Sequence, residues 1–84
     1  MIEIENIFEQ EKILKILEKK DILFQYKKAK RKILSWVNSK SLDLKFRKPK
    51  ADGIISFRIN NQFRAFCFLR WSDLIIYEIN NHQN

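Results

Sequence analysis

Two arginines in this chain occur where a charge is least expected, in the middle of runs of strand-forming residues. Arg58 lies in Ile-Ile-Ser-Phe-Arg-Ile and Arg64 in Gln-Phe-Arg-Ala-Phe-Cys-Phe, both within "RKPKADGIISFRINNQFRAF", residues 47–66. A guanidinium held by a strand is a fixed, bidentate donor matched to a phosphate or a carboxylate. The single histidine, His82, comes just after the last apolar run, past Asn80-Asn81. An imidazole, with a reference pKa near 6.5, exchanges a proton at neutral pH. Cations beside a proton-transfer group are the parts needed to break a phosphodiester without a metal. Other chemistries lack their residues. There is no Cys/His metal spacing and no glycine-rich phosphate loop, and one histidine supports neither a two-histidine acid–base pair nor an arguable Ser-His-Asp set.

The elements that must position these groups can be read from periodicity. Ile13, Ile16 and Leu17 follow helical spacing, as do Tyr26, Ala29, Ile33 and then Trp36 or Val37. No glycine or proline separates the two stripes, so they form either one bent helix or two helices, with Asp21 as the candidate cap of the second. Residues 38–41 read as the stop and turn. Residues 1–5 alternate and are a candidate short strand. Leu42, Leu44 and Phe46 then alternate with Asp43, Lys45 and Arg47, Pro49 and Asp52-Gly53 turn the chain, and residues 54–59, 63–69 and 74–79 are three further strand-like runs. Helices first and antiparallel strands second give an α+β fold, with a helical hairpin packed on one face of a twisted antiparallel β-sheet.

The loop at residues 60–62 fixes the register. A two-residue turn would mix polar and apolar groups on both faces. A three-residue loop, with an Asn in the left-handed position, pairs Ile59 with Phe63, Phe57 with Ala65 and Ile55 with Cys67, giving one apolar face. Cys67 then reads as a small buried hydrophobe. The same register sets Arg58 opposite Arg64, where like charges repel. Either an anion from another molecule comes between them, or each finds a carboxylate, for which Glu78 is the candidate. Phe66 and Phe68 fall on the arginines' face, where exposed rings would stack on unpaired bases. Tyr77 falls on the opposite side of its strand from Glu78, in the core with Ile75 and Ile79.

Length and charge bound the function further. The 84 residues make one domain with a limited core, and the net charge of +7 is unevenly placed. Residues 1–21 carry four lysines against six acids, residues 22–70 carry thirteen Lys and Arg against two acids, and residues 71–84 carry two acids and no Lys or Arg. A concentrated positive block is the footprint of a polyanion partner, whether nucleic acid or acidic protein. One cysteine forms no internal disulfide, the acidic N-terminus does not read as a secretory signal, and no apolar run nears the roughly 18 residues of a membrane span. A cytoplasmic location is expected.

Taken together, residues 42–46, "RKPKADGIISFRINNQFRAF" and "LIIYEINNHQ" resemble the RelE/ParE superfamily of toxins from bacterial toxin–antitoxin pairs, and "QYKKAKRKIL" agrees with its helical layout. The resemblance implies one RelE/ParE-like toxin domain over residues 1–84, with a basic concave face. It implies a ribosome-dependent mRNA endoribonuclease that inhibits translation and arrests growth. Its partners would be the ribosome, mRNA and an acidic antitoxin; DNA would be met only through the antitoxin, and neither a membrane nor a cofactor is involved. ParE-like members instead act on DNA gyrase without nuclease activity, and a degenerate member would only bind its antitoxin. In the nuclease branch a catalytic side chain follows the last strand, which carries over to His82. Arg58 and Arg64 would stabilise the phosphate, while Arg47, Lys48, Lys50, Phe66 and Gln83 would bind RNA. Several nucleases of the superfamily continue with a further aromatic or basic residue, whereas this sequence ends His82-Gln83-Asn84. The general base is left open between a lysine of lowered pKa and a group supplied by the ribosome-bound RNA.

Overall fold

The computed structural model describes residues 3–35, 42–46 and 53–81. Trp36, Val37 and the turn at 38–41 therefore lie outside the described residues, as do Pro49 and Asp52. The described chain forms β1 (Asn6–Glu9), α1 (Glu11–Lys19), α2 (Leu23–Leu34), β2 (Lys45–Phe46), β3 (Ile54–Arg58), β4 (Arg64–Arg70) and β5 (Asp73–Asn80). The strands make one sheet in the order β1-β5-β4-β3-β2. The architecture is α+β, but the sheet is mixed and not wholly antiparallel, because β1 runs parallel to β5. A parallel neighbour needs a crossover, and the helices that follow β1 begin that connection.

The strand at the start of the chain lies later than its alternation suggests. Residues 3–5 are not in a strand, although Ile4 is buried and the Glu5 amide donates to the Ser72 carbonyl at 2.8 Å. The ladder itself begins at Asn6, opposite Asp73. Ile7 turns inward and Phe8 outward.

The helical stripes become two helices. Ile13 and Leu17, four residues apart, bury the same side of α1, and Tyr26, Ala29 and Ile33 do so for α2. Glu11 in the first turn and Lys19 in the last both complement the α1 dipole. Asp21 ends α1 and does not cap α2. Its φ of 58° is left-handed, its amide donates to Glu18 O, and the next amide, of Ile22, reaches back to Leu17 O. The N-cap of α2 is Ile22, which supplies no side-chain bond. Tertiary contacts hold α2 instead. The Tyr26 hydroxyl donates to Glu9 Oε2 at 2.8 Å, and Lys30 Nζ donates to Glu9 Oε1 at 2.9 Å. Burial, and then the Glu9 carboxylate, push the Tyr26 hydroxyl well above its ordinary pKa, so it stays a donor.

The β3–β4 hairpin has the three-residue loop. Ile55 pairs with Cys67, Phe57 with Ala65 and Arg58 with Arg64, and Ile59 N donates to Phe63 O. No loop asparagine is left-handed. Asn60 shapes the loop with its side chain, Oδ1 accepting from the amides of Gln62 and Phe63 at 2.8 Å each. Ile55, Phe57, Ala65, Cys67, Leu74 and Ile76 are almost fully buried in the core with Ile13, Leu17 and Tyr26. Burial pushes the Cys67 thiol up, which keeps it neutral.

β5 departs from simple alternation. Phe66 pairs with Glu78 and Cys67 with Ile76, so Tyr77 is an extra residue in a β-bulge. The bulge changes which side each residue faces. Leu74 and Ile76 are in the core with Ile79 packed against it, while Ile75 lies opposite Phe68 and Tyr77 stacks on Phe68 with ring centroids 4.5 Å apart. Tyr77 and Ile75 are therefore not core residues of the kind that strict alternation predicts.

Two left-handed positions give opposite expectations for stability. Gly53 has a φ of 67°, and a Cβ there would stand 3.0 Å from the Leu69 carbonyl oxygen, while Leu69 N already donates to Gly53 O at 2.7 Å. Gly53→Ala should lower unfolding free energy by about 2 kcal/mol in urea denaturation, from backbone strain and the close approach together. Asp21→Gly should raise it by about 0.5–1 kcal/mol, because only the strain of a side chain in that region is removed.

Candidate functional site

The arginine pair is built by β3 and β4 and closed by the segment that precedes β2. Arg58 and Arg64 stand directly across from each other, as the register predicts, but their surroundings differ. Only 4% of the Arg64 side chain is exposed, against 42% for Arg58. The group that separates these fates is Asp43. Leu42 is buried in the core, and the left-handed φ of 43° at Asp43 turns the chain there.

Arg64 is bound within its own chain. Nη1 donates to Asp43 Oδ2 at 2.9 Å, and Nη2 donates to the Asp43 carbonyl at 2.7 Å and to Ser56 Oγ at 2.9 Å. Nε donates to Ser56 Oγ at 3.3 Å. The expected outward-facing pair awaiting an anion is thus corrected for Arg64, and the carboxylate it meets is Asp43, not Glu78. Glu78 accepts from Asn80 Nδ2 at 2.6 Å. Arg58 Nη2 is 3.4 Å from the same Asp43 oxygen, and Lys45 Nζ is 3.6 Å from it. One carboxylate therefore faces three cations, and the shortest bonds go to the buried one. Burial raises the Asp43 pKa, but the hydrogen bond from Arg64 and the charges of Lys45, Arg64 and Arg58 outweigh it and hold the carboxyl below its usual range.

Phe66 is only 8% exposed, so it is not the open stacking ring expected of it. The exposed ring on this face is Phe68, at 44%, with Phe8 at 52% on β1 beyond Ile75. His82, Gln83, Arg47, Lys48 and Lys50 lie outside the described residues. β5, which His82 follows by two positions, ends at Asn80, directly opposite Arg64. Among the described residues no group of three His, Cys, Asp or Glu could hold a metal ion, and no helix is long and apolar enough to cross a membrane.

Two parts of the site escaped the sequence reading. Asp43 was visible only as a polar step between Leu42 and Leu44, although it is the one acid in that alternating segment. Ser56 pairs with Phe66 across the hairpin, and its hydroxyl reaches diagonally to Arg64. No protein-family model matches this chain, and no curated protein matches its sequence.

Asp43→Asn should cost about 2–3 kcal/mol of stability, because it strips the anion from a buried guanidinium. The depressed carboxyl pKa gives a pH signature. Its stabilisation is present above the unfolded-state pKa, about 3.9, and is lost as pH falls through the lower folded value. Urea midpoints should therefore fall between about pH 5 and pH 2 in the native protein, and fall less in Asp43→Asn.

Proposed function

We propose that this chain is a RelE-like toxin that cleaves mRNA on the ribosome without a metal. The observation that carries the reading is the end of β5. Asn80 lies opposite Arg64, and Arg64 opposite Arg58, so β5 ends beside the arginine pair two residues before His82 in sequence. The concentrated positive charge of residues 22–70 suits an RNA backbone.

In this reading the 2′-hydroxyl gives its proton to a base, a lysine of lowered pKa or a group of the ribosome-bound RNA, and attacks the adjacent phosphate as the bond to the 5′ oxygen breaks. Arg58, exposed and only loosely held by Asp43, faces the charge that builds on the phosphate oxygens. His82 gives its proton to the departing oxygen. Arg64 acts as a positioning residue, since its donors are taken up by Asp43 and Ser56. An antitoxin of acidic character would neutralise the basic face.

The commitment of Arg64 to its own chain also favours a second reading. A toxin that only binds, on gyrase or on an antitoxin, needs a stable basic surface and no exposed cation pair. Mapping of new 5′ ends in a bacterial translation extract separates the two. Nuclease action gives ribosome-dependent cuts, reduced about 10²-fold or more by His82→Ala and by Arg58→Ala. Growth arrest without cleavage, unchanged by His82→Ala, would establish the binding reading.

A further inference from the structure

A second cationic feature lies at the other side of Arg58. A cleft of about 230 Å³ opens between α2 and the β3–β4 loop. Ala29, Leu42 and Ile59, all buried, form its apolar floor. Its polar wall is Lys28, Lys32 and Gln25 from α2, facing Arg58, Asn60 and Asn61. Lys28 and Lys32 are four residues apart and so share a helix face, and the small Ala29 between them leaves the space open.

We propose that this cleft binds a phosphate group through Lys28, Lys32 and Arg58. Three cationic side chains from two separate elements line it, together with three side-chain carboxamides that can donate to an anion. The nearby anion, Asp43, is shared with Arg64 and Lys45, so it neutralises little of Arg58. The Asn60 carboxamide lines the same cleft. Its oxygen accepts two loop amides, which leaves its NH₂ end as the donor available at the cleft. Lys28 Nζ rests 5.9 Å from the Phe24 ring, a weak contact that a phosphate displaces at small cost. An apolar floor excludes water beneath the charges and strengthens their attraction for an anion.

Two sources could supply that phosphate: the backbone of RNA, in which case the inference rests on the reading above, or a small phosphate compound. The test uses Lys28→Gln/Lys32→Gln, with Lys12→Gln/Lys19→Gln on α1 as the charge-matched control. Fluorescence anisotropy with a labelled oligoribonucleotide should show affinity about tenfold weaker in the cleft variant, with a smaller salt slope, and within about twofold in the control. In amide NMR, inorganic phosphate should shift Asn60 and Asn61 in the native protein and not in the cleft variant. RNA binding that both doubles weaken equally, with no phosphate-induced shifts, would overturn the cleft while leaving RNA as the ligand. Phosphate-induced shifts without RNA binding would keep the cleft, assign it to a small phosphate compound and remove the RNA reading. Neither response would remove both.

Discussion

Arg64 brings a full positive charge into a part of the sheet where 4% of its side chain reaches water. An unpaired ion there would cost several kcal/mol, more than a domain of this size spares from its small net stability. Asp43 and Ser56 remove that cost by taking donors from all three guanidinium nitrogens. The same bonds also act on the edge of the sheet. Among the described residues β2 pairs Lys45 and Phe46 with β3. Leu42 fixes this segment to the core, and Asp43 ties it to Arg64. The ion pair is as much an anchor for the edge of the sheet as a partner for the arginine.

The consequence for function is an asymmetry within a symmetric pair. Two arginines at facing register positions would repel if both were free. One half-buried carboxylate, Asp43, settles the conflict by taking Arg64 in short bonds and Arg58 at 3.4 Å. Arg58 is thereby held in place with its charge largely uncancelled, and it borders both the Asp43 cluster and the α2 cleft. A cation positioned by a weak intramolecular bond gives up little when a phosphate replaces that bond. Arg64 would lose a buried, fourfold-bonded arrangement, so it is the poorer ligand of the two.

How far the sequence reaches depends on which forces are local. The β3–β4 register was legible because a two-residue turn would mix polar and apolar groups on both faces, whereas the three-residue loop keeps Ile55, Phe57 and Cys67 on one. The helical stripes were legible for the same reason. The placement of β1 was not, since Ile4 is buried beside the sheet without being in it, and burial alone imitates alternation. Asp21 was misread because an aspartate serves equally as a helix start or as a left-handed stop, and the choice follows from where Ile22 must go. The fate of Arg64 was hidden because its partner is 21 residues away in sequence, on a segment whose pattern records only that Asp43 is polar.

The bulge at Tyr77 shows how such a hidden feature can decide the geometry of a site. With strict alternation, Ile75, Tyr77 and Ile79 would share one face, and a phenol would have to fit the core beside Cys67. Instead the extra residue lets Leu74 and Ile76 face inward, sends Tyr77 onto Phe68, and returns Ile79 to the core. The residues after the bulge are set one position further along β4 than they would otherwise be. Asn80 therefore meets Arg64, and the chain leaves the sheet beside the paired arginines. A bulge that satisfies core packing also determines which residue of β5 stands beside the arginine pair.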